Sequence, residues 1–167
     1  YGISVRCLSN YNPPLVIASN SQSRIGYSFT TSIKKFPVSQ SDSISSFQYD
    51  LPIPDGLEYV SAKMSDAFSV EGNFLANLVQ NTLKVSFAVS SDYIVGDTVL
   101  TEIQLKGNRL GTFDITPSNA FLNSNKIDSI TIGRITVLPI MKGDVNEDSL
   151  ILAHDAALVN LYSVGKD

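Results

Sequence analysis

The sequence predicts a mainly β protein: an antiparallel sandwich of eight or nine strands, followed by one C-terminal helix. Two observations carry this expectation. Apolar residues recur with period two in segment after segment, and uncharged polar residues stand where most globular chains carry charge. Of 167 residues, 43% are hydrophobic but only 17% are charged, against a usual charged share of about 25%. Ser, Thr and Asn make up the difference, and Ser and Thr suit an exposed pleated surface better than Lys or Glu. A chain of this length buries roughly 70% of its unfolded surface, enough for a core without covalent staples.

The first stretch, YGISVRCLSN, alternates Ile3, Val5 and Cys7. Cys7 is the sole cysteine, reads as a small buried hydrophobe, and leaves no internal disulfide to form. Asn10-Tyr11-Asn12-Pro13-Pro14 follows, and paired prolines favour an extended, non-helical joint. Residues 1–12 are therefore assigned to the tail of an upstream module or a linker. Strands are expected over Leu15 to Ala18 and over Gly26 to Ile33. From Ser46, SFQYDLPI places Phe47, Tyr49, Leu51 and Ile53 on one face, and Pro54-Asp55-Gly56 supplies a turn into a strand from Leu57 to Ala62.

Leu83, Val85, Phe87 and Val89 alternate with Thr82, Lys84, Ser86 and Ala88. Between Thr98 and Lys106, Val99, Thr101, Ile103 and Leu105 take the inward phase, and Leu100, Glu102, Gln104 and Lys106 the outward one. Gly96-Asp97 and Gly107-Asn108 bound this run as turns. Gly111 to Thr116 and Ser129 to Leu138 complete the set. In the last, Ile130 and Ile132 are out of phase with Ile135 and Val137, so a β-bulge is expected at Gly133 and Arg134. Strands without interleaved amphipathic helices pack as a sandwich, here residues 13–139.

Residues 140–167 change period. Ala153, Ala156, Ala157, Leu158, Leu161 and Tyr162 cluster at helical spacing. Before them DVNEDSLILAHD, from Asp144, carries side-chain oxygens at positions one, three, five and twelve, the spacing of an EF-hand calcium loop. Asp144, Asn146, Asp148, the carbonyl of Leu150, and Asp155 are the candidate ligands, and three carboxylates suit a hard dication. Ser149 stands where the loop normally has Gly, and Leu152 where it is often polar. The alternative is a solvated turn, with Asp155 in the first turn of a helix where a carboxylate is favourable in any case.

Other chemistries find little support. A net charge of −4 with twelve scattered Lys and Arg lacks the clustered cations that phosphate binding needs. No run reaches the roughly 18 apolar residues of a membrane span, and the first residues lack the pattern of a signal peptide. One His and one Cys lie far apart, and no Gly-x-Ser-x-Gly or HExxH motif occurs. Asp92, Asp97 and Glu102 are near neighbours in sequence, with no separation implied. The expectation is a non-enzyme. For sugar binding, Trp is absent and Tyr49 alternates with core residues, leaving Tyr27, Tyr59 and Tyr93 as exposed platforms.

GDVNEDSLILAHDAALVNLYSVGK, Gly143 to Lys166, resembles one repeat of a dockerin, the calcium-binding module of cellulosome-type assemblies. A complete dockerin has two such repeats, so residues 140–167 read as a half-dockerin whose helix, Asp155 to Ser163, packs on its own sandwich or on a second copy. The resemblance implies partner contacts at Ala153 and His154. ISSFQYDLPIPDGLEYVSAKM (Ile44 to Met64) and NTLKVSFAVSSDYIVGDTVLTEIQLK (Asn81 to Lys106) are similar to cohesins and to related carbohydrate-binding modules. That implies a cohesin-like sandwich of jelly-roll type. YGISVRCL resembles the closing strand of a domain repeated in secreted Bacteroidetes and Fibrobacter proteins. Together these imply a non-catalytic assembly module of a secreted or cell-surface polysaccharide-handling protein. Calcium would be its cofactor and a cohesin- or dockerin-type protein its partner. A carbohydrate-binding module is the alternative.

Overall fold

The computed structural model describes residues 15–36, 43–66, 72–94 and 98–140, with the single positions Gly143, Ala153 and Ala157 beyond them. Thirteen strands occur among these residues: β1 (Leu15–Ala18), β2 (Ser21–Arg24), β3 (Ser28–Phe36), β4 (Ser43–Pro52), β5 (Leu57–Met64), β6 (Asn73–Val79), β7 (Thr82–Ile94), β8 (Thr98–Gly107), β9 (Gly111–Ile115), β10 (Ser118–Leu122), β11 (Asn125–Lys126), β12 (Ile130–Thr131) and β13 (Gly133–Leu138). They form two five-stranded sheets, β12-β1-β3-β8-β5 and β11-β10-β4-β7-β6, and a three-stranded sheet, β2-β13-β9. The β-sandwich expected from the alternation is present.

The period-two pattern explains how the central strands sit. In β4 and β7, Phe47, Tyr49 and Leu51 pair in register with Phe87, Val85 and Leu83, and all six are buried. Phe47 and Phe87 stack with centroids 5.0 Å apart. The facing sheet contributes Ile33, Thr31, Thr101, Ile103 and Leu105. The three-stranded sheet adds Phe113, Ile115, Ile135 and Val137 to the same apolar cluster. Fully burying side chains of this size is worth roughly 1.5–3 kcal/mol each.

Several expectations need correction. Leu100, assigned the outward phase, is buried at 1% exposure. Ile33 pairs with Thr101 and Lys34 with Val99, so Leu100 is an extra residue in β8 and the bulge turns it inward beside Thr101. The bulge expected at Gly133 and Arg134 is instead a change of sheet. β12 pairs parallel with β1 in the five-stranded sheet, and β13 pairs parallel with β2 in the three-stranded one. The segments β1–β2 and β12–β13 cross between sheets side by side, so not every pairing is antiparallel.

The crossing needs Gly133. A Cβ there would lie 2.7 Å from both the Cβ and the carbonyl oxygen of Ala18, and the Arg134 amide donates to Asn20 Oδ1 at 2.8 Å across the same gap. The strand expected from Gly26 begins at Ser28, because Gly26 sits at φ 84° in a turn closed by the Tyr27 amide on the Arg24 carbonyl, 3.1 Å. The Pro54-Asp55-Gly56 turn is as expected: the Leu57 amide donates to the Pro54 carbonyl, and Gly56 takes φ 110°, a positive value that glycine tolerates.

Tyr49 on β4 and Thr101 on β8 share a hydrogen bond between their hydroxyls across the core, one from each five-stranded sheet. Burial pushes the Tyr49 phenol far above its ordinary value, Thr101 opposes that shift and Tyr59 adds to it. The phenol therefore stays neutral in the folded state at pH values where it ionises in the unfolded chain. Its folded pKa is raised, so its contribution is complete below about pH 10 and is lost as pH rises beyond that. Urea midpoints measured from about pH 8 to about pH 11 should fall with pH, and Tyr49→Phe should flatten the fall. At neutral pH that variant should cost about 1–3 kcal/mol, because the Thr101 hydroxyl loses its buried partner.

Candidate functional site

The inward phase of β4, β6 and β7 dictates what their outer face presents. With Phe47, Tyr49 and Leu51 inside, Ser46, Gln48 and Asp50 point out, and Lys84, Ser86 and Ala88 do so from β7. Phe74 and Ala76 pack against the core, which sends Asn73, Leu75, Asn77 and Val79 outward. The registers align these into rows: Phe121, Gln48, Ser86 and Leu75 across β10, β4, β7 and β6, flanked by Ser46, Ala88 and Asn73. These residues, with Ser124, line a shallow depression of about 500 Å³. Leu75 is 67% exposed at its rim.

One end of this face is polar. Lys84 Nζ lies 3.3 Å from both carboxylate oxygens of Asp50, and Asn119 Nδ2 donates to Asp50 Oδ2 at 2.9 Å. The trio ties β10, β4 and β7 together across their outer surface. At the other end β7 carries extra residues opposite β4, since Ser46 pairs with Ala88 but Ile44 with Tyr93. The Asn123 side chain serves the β4 amides there. Its Oδ1 accepts from the Ser45 and Ser46 amides at 2.8 and 3.1 Å and from the Ser45 hydroxyl at 3.2 Å.

The opposite outer face is different in character. Across β3, β8 and β5 its rows read Ser28, Lys106, Glu58; Thr30, Gln104, Ser61; and Ser32, Glu102, Lys63. Lys63 lies 3.3 Å from both Glu102 and Asp66. Hydrogen bonds to Glu102 and then Asp66 hold its ammonium above the ordinary value. Apart from Val60, exposed in the β5 bulge, rows of hydroxyl, amide and charge keep this side hydrated, whereas mixed apolar and amide groups on the β10-β4-β7-β6 side resemble the composition of protein interfaces.

The candidate calcium ligands Asp144, Asn146, Asp148, Leu150 and Asp155, with His154 and Cys7, lie outside the described residues. Ala153 is helical and exposed, as is Ala157, and Gly143 sits in a turn at φ 96°. Tyr49 is buried as expected. Tyr27 is 45% exposed, but Tyr59 is half-buried against the core and offers no open platform. Tyr27 borders a depression of about 330 Å³ with Gln22, Ser23, Arg24 and Phe29. Among the described residues no three His, Cys, Asp or Glu side chains converge, and no helix is long and apolar enough to cross a membrane.

Half of the mixed face was not anticipated, because β6 and β10 were not expected as strands. NFLANLV has apolar residues in both phases, which hides its alternation. Its hairpin to β7 turns on Gln80 and Asn81 at φ 48° and 60°, a two-residue loop of I′ type without the glycine that usually marks one. In β10, Asn119 at φ 47° accompanies a shift of register between Ser118 and Phe121.

No protein-family model matches the chain, and no curated protein matches it. Solved structures do. A non-cellulosomal cohesin from the archaeon Archaeoglobus fulgidus superposes with a TM-score of 0.65 at 16% identity, over 83% of this chain and 100% of its own. The fold is that of a cohesin module. The seventh ScaB type I cohesin of Pseudobacteroides cellulosolvens has a TM-score of 0.60 at 20% identity, covering 77% of this chain and 94% of its own. The sixth cohesin of Acetivibrio cellulolyticus scaffoldin B, solved in complex with a Cel5 dockerin mutant, has a TM-score of 0.63 at 17% identity, over 76% and 100%. The cohesin-like sandwich expected from Ile44 to Met64 and Asn81 to Lys106 is thus the observed fold.

Asn123 is both acceptor for two strand amides and a residue at φ 47°. Asn123→Ala should destabilise by about 1–3 kcal/mol in chemical denaturation. Asn123→Gly should recover about 1 kcal/mol of that, since glycine takes the left-handed conformation without strain.

Proposed function

We propose that the chain is a non-catalytic protein-protein assembly module whose β10-β4-β7-β6 face docks a dockerin-type partner. The observation that carries this reading is the contrast between the two outer faces of one sandwich. One presents rows of hydroxyl, amide and charged side chains interrupted by Val60 in the β5 bulge; the other exposes Leu75, half-exposes Phe121 and surrounds them with Gln48, Ser86 and Asn73. Several cohesins of the same fold were solved with dockerins, which supports the class of partner. Apolar anchors ringed by amides and hydroxyls suit a helical partner that buries a few side chains and hydrogen-bonds at its rim.

Residues 140–167 join this reading as a half-dockerin. Asp144, Asn146, Asp148, the Leu150 carbonyl and Asp155 would hold calcium, with Ala153 and His154 as contacts to a partner. Ligand spacing and the apolar segment that follows support this. A secreted or cell-surface polysaccharide-handling protein is the setting that suits such modules. The second reading is saccharide binding at Tyr27, favoured by its exposed ring beside Gln22, Ser23 and Arg24.

Calorimetric titration against a panel of recombinant dockerins should find at least one binder. Phe121→Ala and Leu75→Asp should each weaken it about tenfold or more, with Tyr27→Ala neutral. Binding to glycans alone, abolished by Tyr27→Ala, would replace this reading with the saccharide one. Millimolar calcium should raise the melting midpoint, by about 2.7 kcal/mol of stability at a hundredfold excess over the dissociation constant. Chelator should reverse the shift and Asp144→Ala should remove it; an unmoved midpoint would leave DVNEDSLILAHD a solvated turn.

A further inference from the structure

Six strands end a sheet among the described residues, and five of them carry a feature that discourages pairing with another chain. β11 and β12 are two residues long. β5 carries Glu58 and Lys63, and its pairing shifts register between Tyr59 and Ser61. β2 ends in Arg24, and β9 carries Asp114, bonded to the Arg134 side chain at 3.2 Å. Charge, brevity and bulges are the usual means by which natural sheets protect an open edge.

β6 has none of these. NFLANLV is seven residues long, without charge or proline, and pairs with β7 without any shift of register. No described strand occupies its other edge. Leu75, Leu78 and Val79 are 67%, 42% and 41% exposed, so apolar side chains flank that edge. A regular edge whose outward N–H and C=O groups meet no strand among the described residues is a template for one more strand.

We propose that β6 pairs antiparallel with β6 of a second copy of this chain, in a two-fold dimer centred on Ala76. The sequence of the strand is what selects a second copy. A two-fold contact places each residue opposite its mirror position: Phe74 opposite Leu78, Leu75 opposite Asn77, and Asn73 opposite Val79. No charge meets its own copy. Phe74 and Leu78 form apolar cross-strand pairs on the inner side, where Leu78 is otherwise open to water. On the outer side each Leu75 and Val79 gains an amide neighbour. The paired β6 strands join two five-stranded sheets into one continuous surface, and the edge that no described strand covers is closed.

Sedimentation velocity on the full chain, from micromolar toward millimolar protein, should show a monomer-dimer equilibrium that saturates at the dimer. Hydrogen exchange should show protection of amides in Asn73–Val79 that rises with concentration and is confined to that strand. Leu75→Lys and Leu78→Lys should each raise the dissociation constant about tenfold or more. Both positions are exposed, and an unchanged melting midpoint for the monomer confirms that each variant is folded. A monomer at every concentration would overturn the proposal. So would a dimer whose β6 amides exchange as they do in the monomer, or one indifferent to both lysine variants.

Discussion

A phenol and a threonine hydroxyl meet in the dry centre of the sandwich, and the arrangement of both five-stranded sheets follows from that meeting. Tyr49 and Thr101 are each almost wholly excluded from solvent, so each hydroxyl needs its partner, and the penalty for losing it is a buried unsatisfied group. Their hydrogen bond sets where β4 lies over β8. A slip of either strand by one residue would point Gln48, Asp50 or Glu102 into the core and turn the paired hydroxyls outward. The polar contact thus supplies register to a core whose affinity is otherwise non-directional.

Once register is set, the two outer faces are determined as complements of the same core, yet they differ. On β3, β8 and β5 the outward positions in register are Ser, Thr, Lys, Glu and Gln, with Ser61 bonded to Gln104 and Lys63 to Glu102, and Val60 in the β5 bulge is the exposed apolar exception. On β10, β4, β7 and β6 they include Phe121, Ala88, Leu75 and Val79, with the Asn119, Asp50 and Lys84 trio confined to one end. Nothing in folding demands that asymmetry, since a hydrated face would serve equally well to solvate the sheet. An outer face that keeps apolar side chains in water bears a solvation cost that a docked partner would relieve.

Much of this was legible in the chain. The inward residues of β4 and β7 are readable from alternation alone, because those strands are central and pair regularly from Phe47 to Leu51 and from Leu83 to Phe87. Alternation gives Leu100 the wrong face because a bulge inserts a residue without changing the sequence pattern on either side. The end of the chain's apolar phase at Ile132 was readable, but its cause was not. A bulge and a change of sheet both consume one residue, and only the position of Ala18 against Gly133 separates them. β6 is hidden in the sequence because its apolar residues occupy both phases: one set faces the core, while Leu75 and Val79 remain outside.

The sequence by itself determined the inside of the central strands. Period-two patterning is a local property that any sheet must obey, and the oxygen spacing in DVNEDSLILAHD is equally local, a matter of residues two apart on one loop. Only the tertiary structure decided the outside. The depression lined by Phe121, Gln48, Ser86 and Leu75 is assembled from four strands, and Asn123 reaches Ser45 and Ser46 from 78 and 77 residues away. The edge position of β6 among the described strands is likewise defined by which strands are its neighbours and which are not. Contacts of that range depend on strand order and register, which hydrophobic alternation leaves open because every strand obeys the same rule.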